Sequence, residues 1–197
     1  MNNNNNKKKD INIKLGSINC RYILKQYRPQ LSDRLTKYLC SQQFDILACQ
    51  ETNFHQSTLE EQIEQIKYKM QQPHQSFWTT KYGIINFNTN INMEQQFISP
   101  DQRFILVKLT ILGNHNIEPM YVLNMYAPAS DENRRRHIFY SEVLDHLKNL
   151  NNFVEVLQRM VVMGDFNFSF ESNLPSGHSG RPKAFMTFMR THFHDGI

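Results

Sequence analysis

From residue 76 to residue 126 the chain is a run of strand-like segments with no room for a helix between them. The first lies near residues 77–80. It is followed by "YGIINFN" (82–88), "RFILVKLTI" (103–111) and "MYVLNMY" (120–126). Lys81-Tyr82-Gly83, Ser99-Pro100-Asp101 and Gly113-Asn114 carry turn chemistry between them. Parallel neighbours are joined by a crossover, usually a helix with a connection at each end, and the spacings here are too short for crossover helices, so adjacent strands are expected to be antiparallel. A doubly wound parallel sheet is thereby excluded for the middle of the chain. The absence of GxGxxG and GxxxxGK[ST] agrees with this.

Helical and strand patterns alternate on either side of that block. "INIKLGSIN" (11–19) alternates Ile11, Ile13 and Leu15 with polar residues, as a half-buried strand does. Leu31, Leu35 and Leu39 recur at helical spacing, and "FDILACQ" (44–50) reads as a short buried strand ending at Glu51. In "STLEEQIEQIKYKM" (57–70) Ser57 and Glu60 stand in capping-box register, ahead of Leu59, Ile63, Ile66 and Met70 on one face. A helix is predicted over 130–150, with the stripe Phe139, Val143, Leu147 and Leu150 and with Asp131 and Glu132 in its first turn. The strand "RMVVMGDFN" follows, then a polar loop, then a helix over 183–194 through Phe185, Phe188, Met189 and His192. This order implies mixed sheets with helices packed outside, an α/β fold in the α+β style.

With 197 residues, 40% of them hydrophobic, the chain can bury one core. Residues 1–10 begin with an Asn/Lys tract that builds no core and is expected to be disordered; the domain is expected over 11–197. No apolar run approaches the roughly 18 residues of a membrane span, and the N-terminus lacks the apolar region of a secretory signal. A soluble, intracellular protein is expected. Cys20, Cys40 and Cys49 form neither a CxxC pair nor a disulfide framework and are expected to be buried or half-buried thiols. Lys7, Lys8 and Lys9 supply three of the 22 Lys and Arg residues, leaving 19 against 18 Asp and Glu. A near-neutral body neither demands nor excludes nucleic acid.

The chemistry lies at the strand ends. Asn19 ends "INIKLGSIN", Glu51 follows "FDILACQ", Tyr126 closes "YVLNMY", and Asp165 with Asn167 follow "VVMG". Taken singly, Glu51 reads as a solvated strand end, "GDFN" as an Asx-type turn and Tyr126 as a half-buried aromatic. Together, converging, they would offer two carboxylates, two carboxamides and a phenol on rigid mounts. That donor set suits Mg²⁺ or Mn²⁺ rather than zinc, and no HExxH or C2H2 spacing occurs.

In order along the chain, "INIKLGSIN", "DILACQET", "YGIINFN", "RFILVKL", "YVLNMYAP" and "VVMGDFN" resemble the successive motifs of the endonuclease/exonuclease/phosphatase superfamily. The stretch from Tyr126 through Arg134, Arg136, Phe139 and Leu147 to "GDFN" is most similar to the apurinic-type endonuclease domains of LINE-like retrotransposons. The resemblance implies a four-layer sandwich, two mixed sheets face to face with helices outside and the site at one rim. It implies that Glu51, with Asn19 beside it, holds a divalent metal (Mg²⁺ or Mn²⁺). Asp165 would orient or deprotonate the attacking water, Asn167 would bind the scissile phosphate, and Tyr126 would donate a hydrogen bond to it.

Three departures qualify that pattern. The superfamily's closing strands and terminal Asp-His pair have no counterpart before the final "HFHDGI", and His192 and His194 match helix positions instead. Ala129 stands where the endonuclease branches often carry Asn, and Ser169 where the inositol-phosphatase branch carries Arg. The expected activity is metal-dependent hydrolysis of DNA phosphodiesters by a retrotransposon-type endonuclease domain, incomplete at its C-terminus. The alternatives are a catalytically dead remnant of such a domain and a phosphoesterase acting on another phosphate ester. DNA is the expected partner, a monomer the expected state, and the nucleus the location that the element type implies. The run Arg134-Arg135-Arg136 reads equally as a solvated helix face and as a phosphate contact.

Overall fold

Period-two alternation within the strands becomes, in three dimensions, two sheets with two apolar faces each. A computed structural model describes residues 12–25, 27–114, 116–130, 134–168 and 182–194. The elements are β1 (Leu15–Asn19), α1 (Pro29–Ser41), β2 (Ile46–Gln50), α2 (Leu59–Lys69), β3 (Gln75–Trp78), β4 (Tyr82–Asn86), β5 (Ile91–Ile98), β6 (Phe104–Ile111), β7 (Met120–Tyr126), α3 (Arg135–Lys148), α4 (Phe153–Gln158), β8 (Met160–Asp165) and α5 (Lys183–His192). The first sheet has the order β1-β2-β4-β3 and the second β5-β6-β7-β8. In each, one pair is parallel, β1 with β2 and β7 with β8, and the rest are antiparallel.

Which residues share a face decides the layers. Ile46, Tyr82 and Ile84 of the first sheet meet Met93, Ile105, Val107 and Val122 of the second in a shared core between the sheets. The opposite face of the first sheet, with Leu47, Cys49 and Ile85, packs on Leu39 of α1 and Ile66 of α2. The outer face of the second sheet, with Leu106, Leu123 and Met125, packs on Phe139, Val143 and Leu147 of α3, on α4 and on Phe185 of α5. The four-layer sandwich expected from the sequence is the observed architecture. The thiols are free, Cys20 and Cys49 buried and Cys40 half-buried.

Four local expectations are corrected. The strand expected from residue 11 begins at Leu15, and Ile11 lies outside the described residues. β5 has no counterpart in the pattern, because Glu94, Gln95 and Gln96 are exposed on this edge strand and a register shift between Gln95 and Phe97 breaks the alternation. Consequently β4 and β6 are not neighbours: the antiparallel series is split between two sheets, with β5 opening the second. The Ser57/Glu60 capping box does not form. Residues 56–58 make a 3₁₀ turn, and the side chain of Gln62 reaches back to accept from the His55 N–H at 2.7 Å. The helix expected through residue 150 is α3, which ends at Lys148, and a short helix that the pattern did not mark, α4, follows it after left-handed Asn152 at φ 58°. Asp131 and Glu132 lie outside the described residues, as do the tail and Ser169.

Candidate active site

Two parallel pairs terminate at one rim. In the register of the first sheet the last pair is Asn19 opposite Gln50; in the second it is Tyr126 opposite Asp165. Stacking the sheets brings these ends together. Asn19 Nδ2 donates to Asp165 Oδ2 at 2.7 Å, and the Tyr126 hydroxyl donates to Glu51 Oε1 at 3.3 Å. Each bond joins one sheet to the other. All five residues singled out from the sequence are half-buried, open enough to meet a ligand and enclosed enough to be held.

The backbone around each is fixed. Glu51 leaves β2 with φ 52°, a left-handed conformation that its neighbours stabilise: its carbonyl accepts from the Tyr22 N–H at 2.8 Å and from Asn53 Nδ2 at 3.2 Å, while the next amide, Thr52 N–H, donates to Lys81 O at 3.0 Å. Asn19 Oδ1 accepts from the Arg21 N–H at 3.1 Å, so its carboxamide has one orientation. Asp165 Oδ1 accepts from the Asn167 N–H at 3.1 Å. The Asx-type turn is therefore present, and it orients the carboxylate instead of competing with a chemical role. Asn167 Nδ2 donates to Ala127 O at 2.7 Å, and Ala127 N–H donates to Asp165 O at 2.8 Å. "YAP" and "GDFN" are thus stitched into one unit.

Glycine at 164 is what permits that unit. Its φ is 135°, and a Cβ built there would lie 1.9 Å from the Met125 carbonyl oxygen of the neighbouring strand. Only glycine fits both the conformation and the approach.

Electrostatics keep Tyr126 a proton donor. Burial pushes its hydroxyl above the usual phenol range, the Glu51 carboxylate beside it pushes the same way, and Arg103, whose guanidinium lies 5.2 Å over the ring, opposes them. The phenol therefore stays protonated throughout the neutral range. Arg103 Nη1 also donates to Tyr126 O at 3.2 Å. Among the described residues neither Glu51 nor Asp165 has a cationic side chain in ion-pair contact. Two unneutralised carboxylates with an amide oxygen nearby are a fitting donor set for a hard divalent cation that keeps several waters. Among the described residues no three His, Cys, Asp or Glu side chains cluster into an all-protein cage.

Several supporting residues carry no chemical signature in the sequence. Gln50 is buried and donates through Nε2 to Asn124 Oδ1 at 2.7 Å, and Asn124 Nδ2 donates to Gly83 O at 3.3 Å, so a polar bridge crosses the core between the sheets directly beneath the site. A polar residue inside an apolar strand was the available signal. Replacing Asn124 by Leu is expected to lower stability by about 1–3 kcal/mol, since Gln50 loses its best acceptor; urea denaturation would measure it. Tyr140 of α3 donates to Phe166 O and anchors the loop after β8; only its place beside Phe139 marked it. Arg136 resolves the ambiguity of the arginine run at one position, because it donates to the carbonyls of Pro128 and Ala129 and so clamps the segment after β7. Arg134 and Arg135 are exposed. His192 lies among Phe153 and Phe188 in the outer helical layer, with ring centroids 6.5 and 4.9 Å away.

No family model matches the sequence, and no curated protein matches it either. Solved structures do match in three dimensions. An AP endonuclease from Archaeoglobus fulgidus superposes with a TM-score of 0.61 at 15% identity, over 91% of this chain and 71% of that one. The endonuclease domain of TRAS1, a telomere-specific non-LTR retrotransposon, gives 0.55 at 12% identity over 91% and 71%. The D. rerio TDP2 complexed with single strand DNA product gives 0.54 at 16% identity, over 81% of this chain and 62% of that one. At such identities the likeness is one of fold.

Proposed function

We propose that this chain, which has the endonuclease/exonuclease/phosphatase fold, is a divalent-metal-dependent phosphodiester hydrolase acting on DNA, of the retrotransposon endonuclease type. The observation that carries the reading is the pair of inter-sheet bonds, Asn19 to Asp165 and Tyr126 to Glu51, which gather a carboxamide, a phenol donor and two carboxylates, one of them the proposed acid-base group, at one rim. The structural neighbours, an AP endonuclease, a retrotransposon endonuclease domain and a TDP2 complexed with a single strand DNA product, support the substrate class.

Glu51 and Asn19 would hold the ion, Mg²⁺ or Mn²⁺. When bound, it would neutralise charge on the non-bridging phosphate oxygens. Asp165, oriented by Asn19 and by the Asn167 amide, takes the proton of a water aligned with the scissile bond. Tyr126, neutral because of its burial and of Glu51, donates to a phosphate oxygen as charge develops there. Asn167, whose Nδ2 donates to Ala127 O, would bind and orient the scissile phosphate through the second hydrogen of that group.

Residues 1–197 are expected to nick supercoiled plasmid with Mg²⁺ and not with chelator, and Tyr126→Phe should slow nicking by about 10²-fold. A folded chain that leaves the plasmid intact in every divalent metal would end this reading.

A further inference from the structure

The segment after β1 turns a large aromatic ring into solvent beside the site. Cys20 and Ile23 point inward, at 4% and 0% exposure, whereas Tyr22 between them is 59% exposed and Arg21 is exposed as well. Both Arg21 and Tyr22 have left-handed φ, 43° and 70°. Such values are uncommon for any residue with a Cβ and outlying for an aromatic one, and they persist only where the surroundings over-determine them. Here the determinants are the site residues themselves. Cys20 N–H donates to Gln50 O at 2.8 Å, Arg21 N–H to Asn19 Oδ1 at 3.1 Å, and Tyr22 N–H to Glu51 O at 2.8 Å. Lys25 Nζ closes the turn on Arg21 O at 2.7 Å. The same atoms that orient Asn19 and Glu51 therefore hold the Tyr22 ring out of the core. Tyr38 and Tyr68 are also exposed, at 58% and 77%, but they sit on α1 and α2, with no such bond to the site.

Charge points the same way. Among the described residues Arg21 has no acidic partner. An unpaired cation next to a presented aromatic face is the combination that binds a single nucleic-acid strand, the cation on backbone phosphate and the ring under a base. In continuous duplex both faces of each base are already stacked, so the ring would have nothing to take.

Resting on the phosphodiesterase reading above, we infer that Tyr22 is a stacking platform for an unpaired base of the DNA strand whose phosphate occupies the site, with Arg21 on an adjacent phosphate. The substrate class is then DNA with a base out of the duplex, at a frayed, gapped or single-stranded position, in preference to continuous duplex or a small phosphate ester.

The test needs no catalysis. Anisotropy of a fluorescein-labelled oligothymidylate, titrated with residues 1–197 in chelator, should show tighter binding than a duplex of the same length. Tyr22→Ala should weaken single-strand binding by about ten- to a hundredfold, and Tyr22→Trp should restore it, with unchanged circular dichroism in both. Equal affinity of Tyr22→Ala and the parent, or a Tyr22→Trp variant as weak as Tyr22→Ala, would overturn the inference. Nicking that persists beside such a result leaves the hydrolase reading standing and removes the platform alone. Tyr22-dependent binding without any nicking supports the platform and removes the catalytic reading alone.

Discussion

Asp165→Asn is expected to lower the rate of Mg²⁺-dependent plasmid nicking by about 10²- to 10⁴-fold, the usual cost of losing a positioned proton acceptor. The structure explains why the nearly isosteric change should be so damaging. Asp165 accepts two hydrogen bonds, from Asn19 Nδ2 and from the Asn167 amide. An asparagine has one oxygen to offer, so its NH₂ group must face one of those two donors. The substitution therefore removes the charge and also one of the two bonds that hold this side chain, from Asn19 or from the Asn167 amide. Asn19→Ala should act in the same direction by a smaller factor, since Asp165 would keep its bond from Asn167. Single-turnover nicking at saturating DNA separates these effects from binding. An Asp165→Asn chain that nicks at the parental rate would remove Asp165 from the chemistry.

The second large effect concerns stability. Gly164→Ala is expected to destabilise the fold by about 3–5 kcal/mol, combining a left-handed strain with an overpacked backbone contact. A Cβ at this position meets the Met125 carbonyl oxygen at 1.9 Å, its nitrogen at 2.8 Å and its carbonyl carbon at 2.9 Å, and a neighbouring strand cannot rotate away as a side chain can. Relief would require β8 to separate from β7 where Asp165 pairs with Tyr126. The midpoint of urea denaturation reads the loss directly. Gly113→Ala offers a control, because φ is 72° there but a Cβ would meet nothing within 4 Å; its cost should be the smaller conformational part alone. Equal midpoints for the two variants would show that the close approach at Gly164 carries no energy.

Much of the architecture was legible because periodicity is a property of the sequence. Leu35 and Leu39, Ile66 and Met70, and Phe139, Val143 and Leu147 mark helix faces that pack where the pattern places them. β2, apolar from Ile46 to Cys49, is buried along its length. β5 escaped because an edge strand with Glu94, Gln95 and Gln96 outward satisfies its environment without an apolar pattern. The Ser57 cap failed because residues 56–58 close a 3₁₀ turn and the helix takes Thr58, one residue later, as its N-cap. Asn19, Glu51, Tyr126, Asp165 and Asn167 could be singled out since each stands at the end of an apolar run, and strand ends are local. Gln50, Asn124, Tyr140 and Tyr22 could not, since their significance lies in partners that are distant in sequence: 74 residues separate Gln50 from Asn124, and 26 separate Tyr140 from Phe166.

The sequence by itself determined the two kinds of element, mixed sheets with helices outside them and which strand ends carry polar groups, because burial patterns are written in neighbouring residues; the four layers were what the family resemblance implied. Only the tertiary structure decided that β4 and β6 part into different sheets, that Asn19 meets Asp165 across 146 residues and Tyr126 meets Glu51 across 75, and that the Tyr22 ring faces water. Those outcomes follow from how two sheets stack and from which backbone groups find partners at their shared rim. Neither is encoded in any local period.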